Sequence, residues 1–205
     1  DTLTYRPLLA QQIMALPYPI QIDSIKLSNS TVRYNEIVQK TGKEGKVFID
    51  NVEGLITNVK NYNIQEHDSL IMIIKSRLYG KGETKFNFRQ SYTDSLQGFW
   101  MRVRMGHMDM QEMNALLRPQ MSLQIRSGII DTLTLLTNGN KYFAYGTMDI
   151  RYRKMSVMLL GKNGDGEYFL SGTINWLVNQ MVRRHDNGKP NLVFKKRTVK
   201  RGQFN

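Results

Sequence analysis

The chain has 205 residues, 40% apolar and 22% charged, with a formal net charge of +12 and no cysteine. That supports one or two domains with a buried core and argues against wholesale disorder. It excludes disulfides, thiolate metal sites and a cysteine nucleophile.

Thr4 to Leu16 has helical spacing, with Pro7 in the first turn and Leu9, Ile13 and Leu16 on one face. Pro17 and Pro19 stop it. Ile20 to Leu27 alternates as a strand, Ser28-Asn29-Ser30 reads as a turn, and Val32 and Tyr34 begin a return strand. Lys46 to Asn61 is a strand with a bend expected at Gly54. Ser69 to Gly80 is another, turning through Gly80-Lys81-Gly82 into Glu83–Arg89. Asp94 to Met105 is strand again, with Phe99, Met101, Val103 and Met105 on one face and Trp100, Arg102 and Arg104 on the other.

Asp109 with Glu112 forms a capping-box pattern that opens a short helix, with Met110, Met113 and Leu117 on one face and Pro119 at its end. Strand pattern resumes at Met121, bends at Ser127-Gly128 and continues through Leu133 and Leu135. Asn138-Gly139 is the strongest hairpin signal in the chain. The return strand is Tyr142 to Leu160. A glycine-rich loop then leads to an amphipathic helix (Ile174, Leu177, Val178, Met181, Val182) and a last basic strand, Asn191 to Thr198.

Strands in succession joined by short turns predict an antiparallel meander. Several exceed the usual strand length of roughly 5–6 residues, and long strands with one apolar face must curl or find a partner layer. The expected fold is therefore mainly β with a few helices (α+β), a long curved antiparallel sheet forming an open groove or partial barrel. The division expected is a single module over 1–205, with an N-terminal helix at 1–19, a first sheet segment at 20–106, and a second at 107–205 carrying two helices and the basic end.

Chemistry is sparse. His67, His107 and His185 lie in different elements, with no acids at motif spacing. Met105 to Met113 holds four Met and one His, a soft-donor set that suits Cu(I), but Met110 and Met113 fall on the apolar helix face and read as core or groove. Asn163, Asp165 and Glu167 resemble the front of a calcium loop without its remaining ligands. No phosphate-loop, dinucleotide, zinc-protease or nucleophile-elbow motif occurs. No enzyme activity and no cofactor is expected. Arg183 to Arg201 carries eight Lys/Arg against Asp186, a net +7, as a solvated flank or an anion contact.

Three stretches carry a resemblance: LPYPIQIDSIKLSNSTVRYNE with GKVFIDNVEGLITNV, then MDMQEMNALLRP through MSVMLL, then VFKKRTVKRGQFN. Together they resemble the C-terminal region of AsmA-like envelope proteins (the AsmA, YhdP and TamB relatives), particularly Bacteroides-type forms. The family unit I-x-x-I-x-L-x-x-S/G-x-V-x-Y appears at Ile22 to Tyr34, and a looser version runs from Leu123 to Leu135. The resemblance implies a periplasmic part of an inner-membrane-anchored protein, a long β-groove conducting phospholipid toward the outer membrane. Partners so implied are phospholipid acyl chains, the inner or outer membrane through parts missing here, and neighbouring β-segments of the same protein.

The lining expected for such a groove is Leu70, Met72, Ile74, Phe99, Met101, Val103, Met105, Leu123, Ile125, Leu133, Leu135, Met148, Ile150 and Tyr152. Headgroup or surface contacts are expected from Arg183, Arg184, Lys195, Lys196, Arg197, Lys200 and Arg201. The alternatives are an envelope scaffold without cargo, in which the same residues form a filled core, and nucleic-acid binding through the basic end.

Overall fold

The computed structural model describes residues 7–37 and 42–160, together with the backbone of 167–168, 192–193 and 197–200. Among the described residues the fold is mainly β, a single open antiparallel sheet with two α-helices. Helix α1 (Leu9–Met14) precedes strands β1 (Gln21–Ile37), β2 (Glu44–Lys60), β3 (Ser69–Leu78), β4 (Gly82–Ser91) and β5 (Phe99–Met105). The short strand β6 (Met108–Asp109), a 3₁₀ turn (Met110–Met113) and helix α2 (Asn114–Met121) follow. Then come β7 (Leu123–Gly139) and β8 (Phe143–Leu160). The spatial order β1-β2-β3-β4-β5-β7-β8 follows the chain, as in a meander. Short pieces β9 (Glu167–Tyr168), β10 (Leu192–Val193) and β11 (Arg197–Lys200) pair with β8. Because β5 pairs directly with β7, the sheet continues across the interruption made by α2.

Four sequence expectations need correction. Ser28-Asn29-Ser30 is not a turn. Asn29 takes a left-handed conformation (φ +43°) and makes a bulge inside one 17-residue strand, so β1 pairs with β2 along its whole length. An Asn flanked by serines serves a bulge as readily as a turn. Pro119 does not end its helix, which runs to Met121 and stops at left-handed Ser122 (φ +50°). Asn138-Gly139 closes β7 rather than forming the hairpin loop. The loop is Asn140-Lys141-Tyr142, built by the Asn140 Oδ1 accepting from the Tyr142 and Phe143 N–H groups (2.9 and 3.2 Å). Residues 94–98 are likewise loop, held by the Asp94 carboxylate accepting from Leu96 and Gly98 N–H (2.9 Å each), so β5 begins only at Phe99. The N-terminal helix occupies Leu9–Met14 within the described residues. The helix expected at 174–182 lies outside them.

Gly54 (φ +158°) lies inside the unbroken strand β2, beside its register shifts with β1 and β3, and glycine there has a steric cause. A Cβ there would meet the backbone of β3, 2.8 Å from Ile74 Cα. Gly128 does the same for β7, where a Cβ would lie 2.9 Å from Met110 Sδ and the register with β8 shifts on either side.

Each helix covers one end of the same sheet face. Under α1 lie Ala10, Leu70 and Tyr92, all buried, with Ile13, Ile56, Val59, Ile64 and Phe88 around them. Gln90 is fully buried there and bonded at both ends of its amide: its Oε1 accepts from Ala10 N–H (2.9 Å) and its Nε2 donates to Gln11 Oε1 (2.7 Å). At the other end Met105, Met108, Met110, Ile125, Ile130 and Tyr152 form the main buried cluster beneath the 3₁₀ turn and α2. Three of the four Met in the Met105–Met113 segment are thus core, and the fourth, Met113, packs against that core. Asn114 fixes the helix to β7 through reciprocal bonds with the Ile125 backbone (2.7 and 2.8 Å).

Near α1, Lys60 Nζ pairs with Asp68 Oδ2 at 2.5 Å, and Gln65 N–H donates to the same carboxylate (2.6 Å). The Lys60 hydrogen bond, then the Gln65 one, hold the Asp68 carboxyl below the usual carboxylate range. A depressed folded pKa stabilises the fold above the unfolded value of roughly 3.9, and that stabilisation fades as pH falls through the folded value. Asp68→Asn is therefore expected to lower Tm at pH 7. Thermal melts from pH 7 to pH 2 should show the gap from wild type closing in acid. A gap independent of pH would mean that the carboxylate charge contributes nothing.

Candidate functional site: an apolar cavity inside the sheet

Cross-strand register puts apolar side chains in rows across the sheet. One row is Leu27–Gly54–Ile74–Phe86–Val103–Leu135–Met148, one residue from each of the seven long strands. The next is Ile25–Ile56–Met72–Phe88–Met101–Thr137–Gly146. A third runs Ser76–Thr84–Met105–Leu133–Ile150. Alternation along each strand makes one face apolar, and pairing aligns the faces.

A cavity of about 640 Å³ lies on this face. Val32, Ile49 and Val52 from β1 and β2 line it together with Leu133, Met148 and Val157 from β7 and β8. These strands stand at opposite ends of the sheet order, so the sheet curls around the space. Met110, Met113 and Leu117 close it on the α2 side. The same helix reaches across to the first strands: Leu116 and Gln120 pack at Gly45 of β2, and Gln120 Nε2 donates to Glu36 O of β1 (3.4 Å). Among the described residues, Ser76 and Thr84 are the only lining residues with side-chain oxygen or nitrogen atoms, and Thr84 Oγ1 is already donating to Gly82 O (2.9 Å). The lining therefore offers volume and dispersion contacts with almost no directional chemistry. Among the described residues no group of three or more His, Asp or Glu is placed to hold a metal ion.

The expected lining residues divide in two. Ile74, Val103, Met105, Leu123, Ile125, Leu133, Met148 and Ile150 line the cavity. Leu70 is fully buried under α1. Met72 and Met101 lie in the row toward α1 beyond the cavity, and Phe99 stacks on Phe88 there, 6.0 Å between ring centres. Leu135 stands in the cavity row between Val103 and Met148, and Tyr152 is buried in the α2 cluster against Ile130. Sequence reasoning missed Val32, Ile49, Val52, Phe86, Ile130, Met155 and Val157 as lining residues. The alternation of Phe86 and Phe88 in KFNFR was the available signal for β4. Bulges shift the alternation in β1, β2, β7 and β8 and hid the others.

Of the basic contacts expected at the C-terminal end, Arg183, Arg184, Lys195, Lys196 and Arg201 lie outside the described residues. Arg197 and Lys200 are placed only by their backbone, in β11 beside β8. Among the described residues no helix is long and apolar enough to cross a membrane. No protein-family model, curated protein or solved structure matches the chain.

Proposed function

We propose that this chain is a non-enzymatic module that holds phospholipid acyl chains in the cavity of its curled sheet, as part of a periplasmic, membrane-anchored protein of the AsmA-like kind its sequence resembles. The observation that carries the reading is the lining. A space of about 640 Å³ bounded almost wholly by aliphatic, Met and Phe side chains suits a long apolar ligand without polar groups along its length. The volume falls within the roughly 300–1,000 Å³ of small-molecule sites. Each methylene transferred from water contributes about 0.8 kcal/mol, so an acyl chain needs no hydrogen bonds to be retained.

The test is native mass spectrometry of the purified chain, followed by lipid extraction. Wild type is expected to carry phospholipid. Met148→Glu, on a half-buried lining position of β8, is expected to fold and lose it. A folded, lipid-free wild type that also rejects added phospholipid would overturn the proposal.

One observation favours a scaffold reading. Strand β1 is mostly exposed over 17 residues and, among the described residues, pairs only with β2, which presents an edge to a neighbouring β-segment. The lipid-free outcome would leave this as the better account.

A further inference from the structure

The face of the sheet turned away from the cavity carries a charge arrangement that the acyl-chain reading does not use. Lys75, Lys85 and Arg104 are direct cross-strand partners on β3, β4 and β5. Neighbouring strands lie roughly 4.8 Å apart, so three cations stand abreast within about 10 Å. Like charges directly opposite each other destabilise a sheet. All three are exposed, and none makes an ion pair within the described residues.

Their surroundings deepen the field. Arg102 shares the face of Arg104, with its guanidinium 5.4 Å from the Trp100 ring centre and its Nε buried without a hydrogen-bond partner. Glu83 is paired to Arg77 (3.6 Å). A shallow depression of about 590 Å³ has Lys75, Arg77, Lys85 and Arg104 in its wall together with Glu53 and Glu83, so four cations stand there against two acids. Glu53 stands directly opposite Lys75 and borders the same depression, whereas Lys85 and Arg104 have no acid as a cross-strand partner, and Asp149 lies beyond Thr134 in the same row.

We propose that this patch is a binding site for a compact anion bearing two or more phosphate groups, held by Lys75, Lys85 and Arg104. A ligand of that charge density turns the repulsion within the row into attraction to each phosphate, and Arg104 supplies a planar fork of donors. The tight spacing and the depression favour a compact anion over an extended polyanion. The three cations lie on the face opposite the cavity, although Ser76, Thr84 and Met105 border both spaces, and the proposal does not depend on what the cavity holds.

The probe is inorganic tripolyphosphate, titrated calorimetrically into the full chain at fixed ionic strength, with sodium sulfate as the control anion. Wild type is expected to bind tripolyphosphate at least tenfold more tightly than sulfate. Lys85→Gln is expected to weaken that binding about tenfold, and Lys26→Gln, which removes the same charge from β1, to leave it within twofold. Lys85→Gln should also melt at the same temperature as wild type or higher without ligand, while losing most of the rise in Tm that tripolyphosphate gives wild type. Equal weakening by both variants would reduce the patch to general electrostatics and overturn the proposal, as would the absence of binding by wild type.

Discussion

Gly54→Ala is expected to destabilise the fold by about 2 kcal/mol or more, with Tm falling roughly 4–8 °C. Gly54 joins Leu27 to Ile74 in the row that crosses the sheet at the cavity. A methyl group there meets the Ile73 carbonyl oxygen and Ile74 Cα, both backbone atoms of the adjoining strand, and no rotamer change relieves the clash. Strands β2 and β3 must separate locally, which loses ladder hydrogen bonds. Gly106→Ala is the matched control, because its Cβ would meet nothing nearer than Glu83 O at 3.8 Å. Urea unfolding of both variants decides the matter. Similar midpoints for the two would mean that β2 is not held against β3 as described.

Leu70→Ala should cost roughly 2–5 kcal/mol, the range for emptying a closed core site. Leu70 is fully buried, packed with Ala10 and Tyr92 beneath α1. Ile74, four residues on in the same strand and on the same face, borders the cavity. Ile74→Ala enlarges a space that already exists, removes fewer contacts, and is expected to cost less than half as much. The pair therefore measures where filled core gives way to open space along β3. Equal losses would mean that Ile74 is packed as tightly as Leu70. On the acyl-chain proposal, Leu70→Ala is expected to leave lipid per folded molecule unchanged and Ile74→Ala to alter it.

The sheet itself was largely legible because alternation repeats. Phe99, Met101, Val103 and Met105 read correctly as one face of a strand, and the structure keeps them on one face. The open antiparallel architecture followed from long strands with short connections. Two kinds of residue misled. Asn29 and the Asn138-Gly139 pair carry turn chemistry, yet Asn29 forms a bulge, and the turn chemistry of the β7–β8 hairpin belongs to Asn140, the residue that follows the pair. Periodicity shows which residues share a face but not which part of that face a helix covers. Leu70 and Ile74 are indistinguishable by pattern, and α1 makes the difference by seating Ala10 over one and stopping short of the other. The basic row Lys75–Lys85–Arg104 was invisible for a related reason, since it exists only once the register between three strands is fixed.

The row from Leu27 to Met148 runs across the strands rather than along them. Its length is counted in strands, at roughly 4.8 Å for each step. Six steps give a contour of about 29 Å, close to the thickness of a bilayer's hydrocarbon core. Lengthening any one strand leaves that contour unchanged, whereas one more hairpin adds about 10 Å to it. The contour around the cavity is therefore set by the number of strands, and an added hairpin extends it by repeating the alternation of inward apolar and outward polar positions.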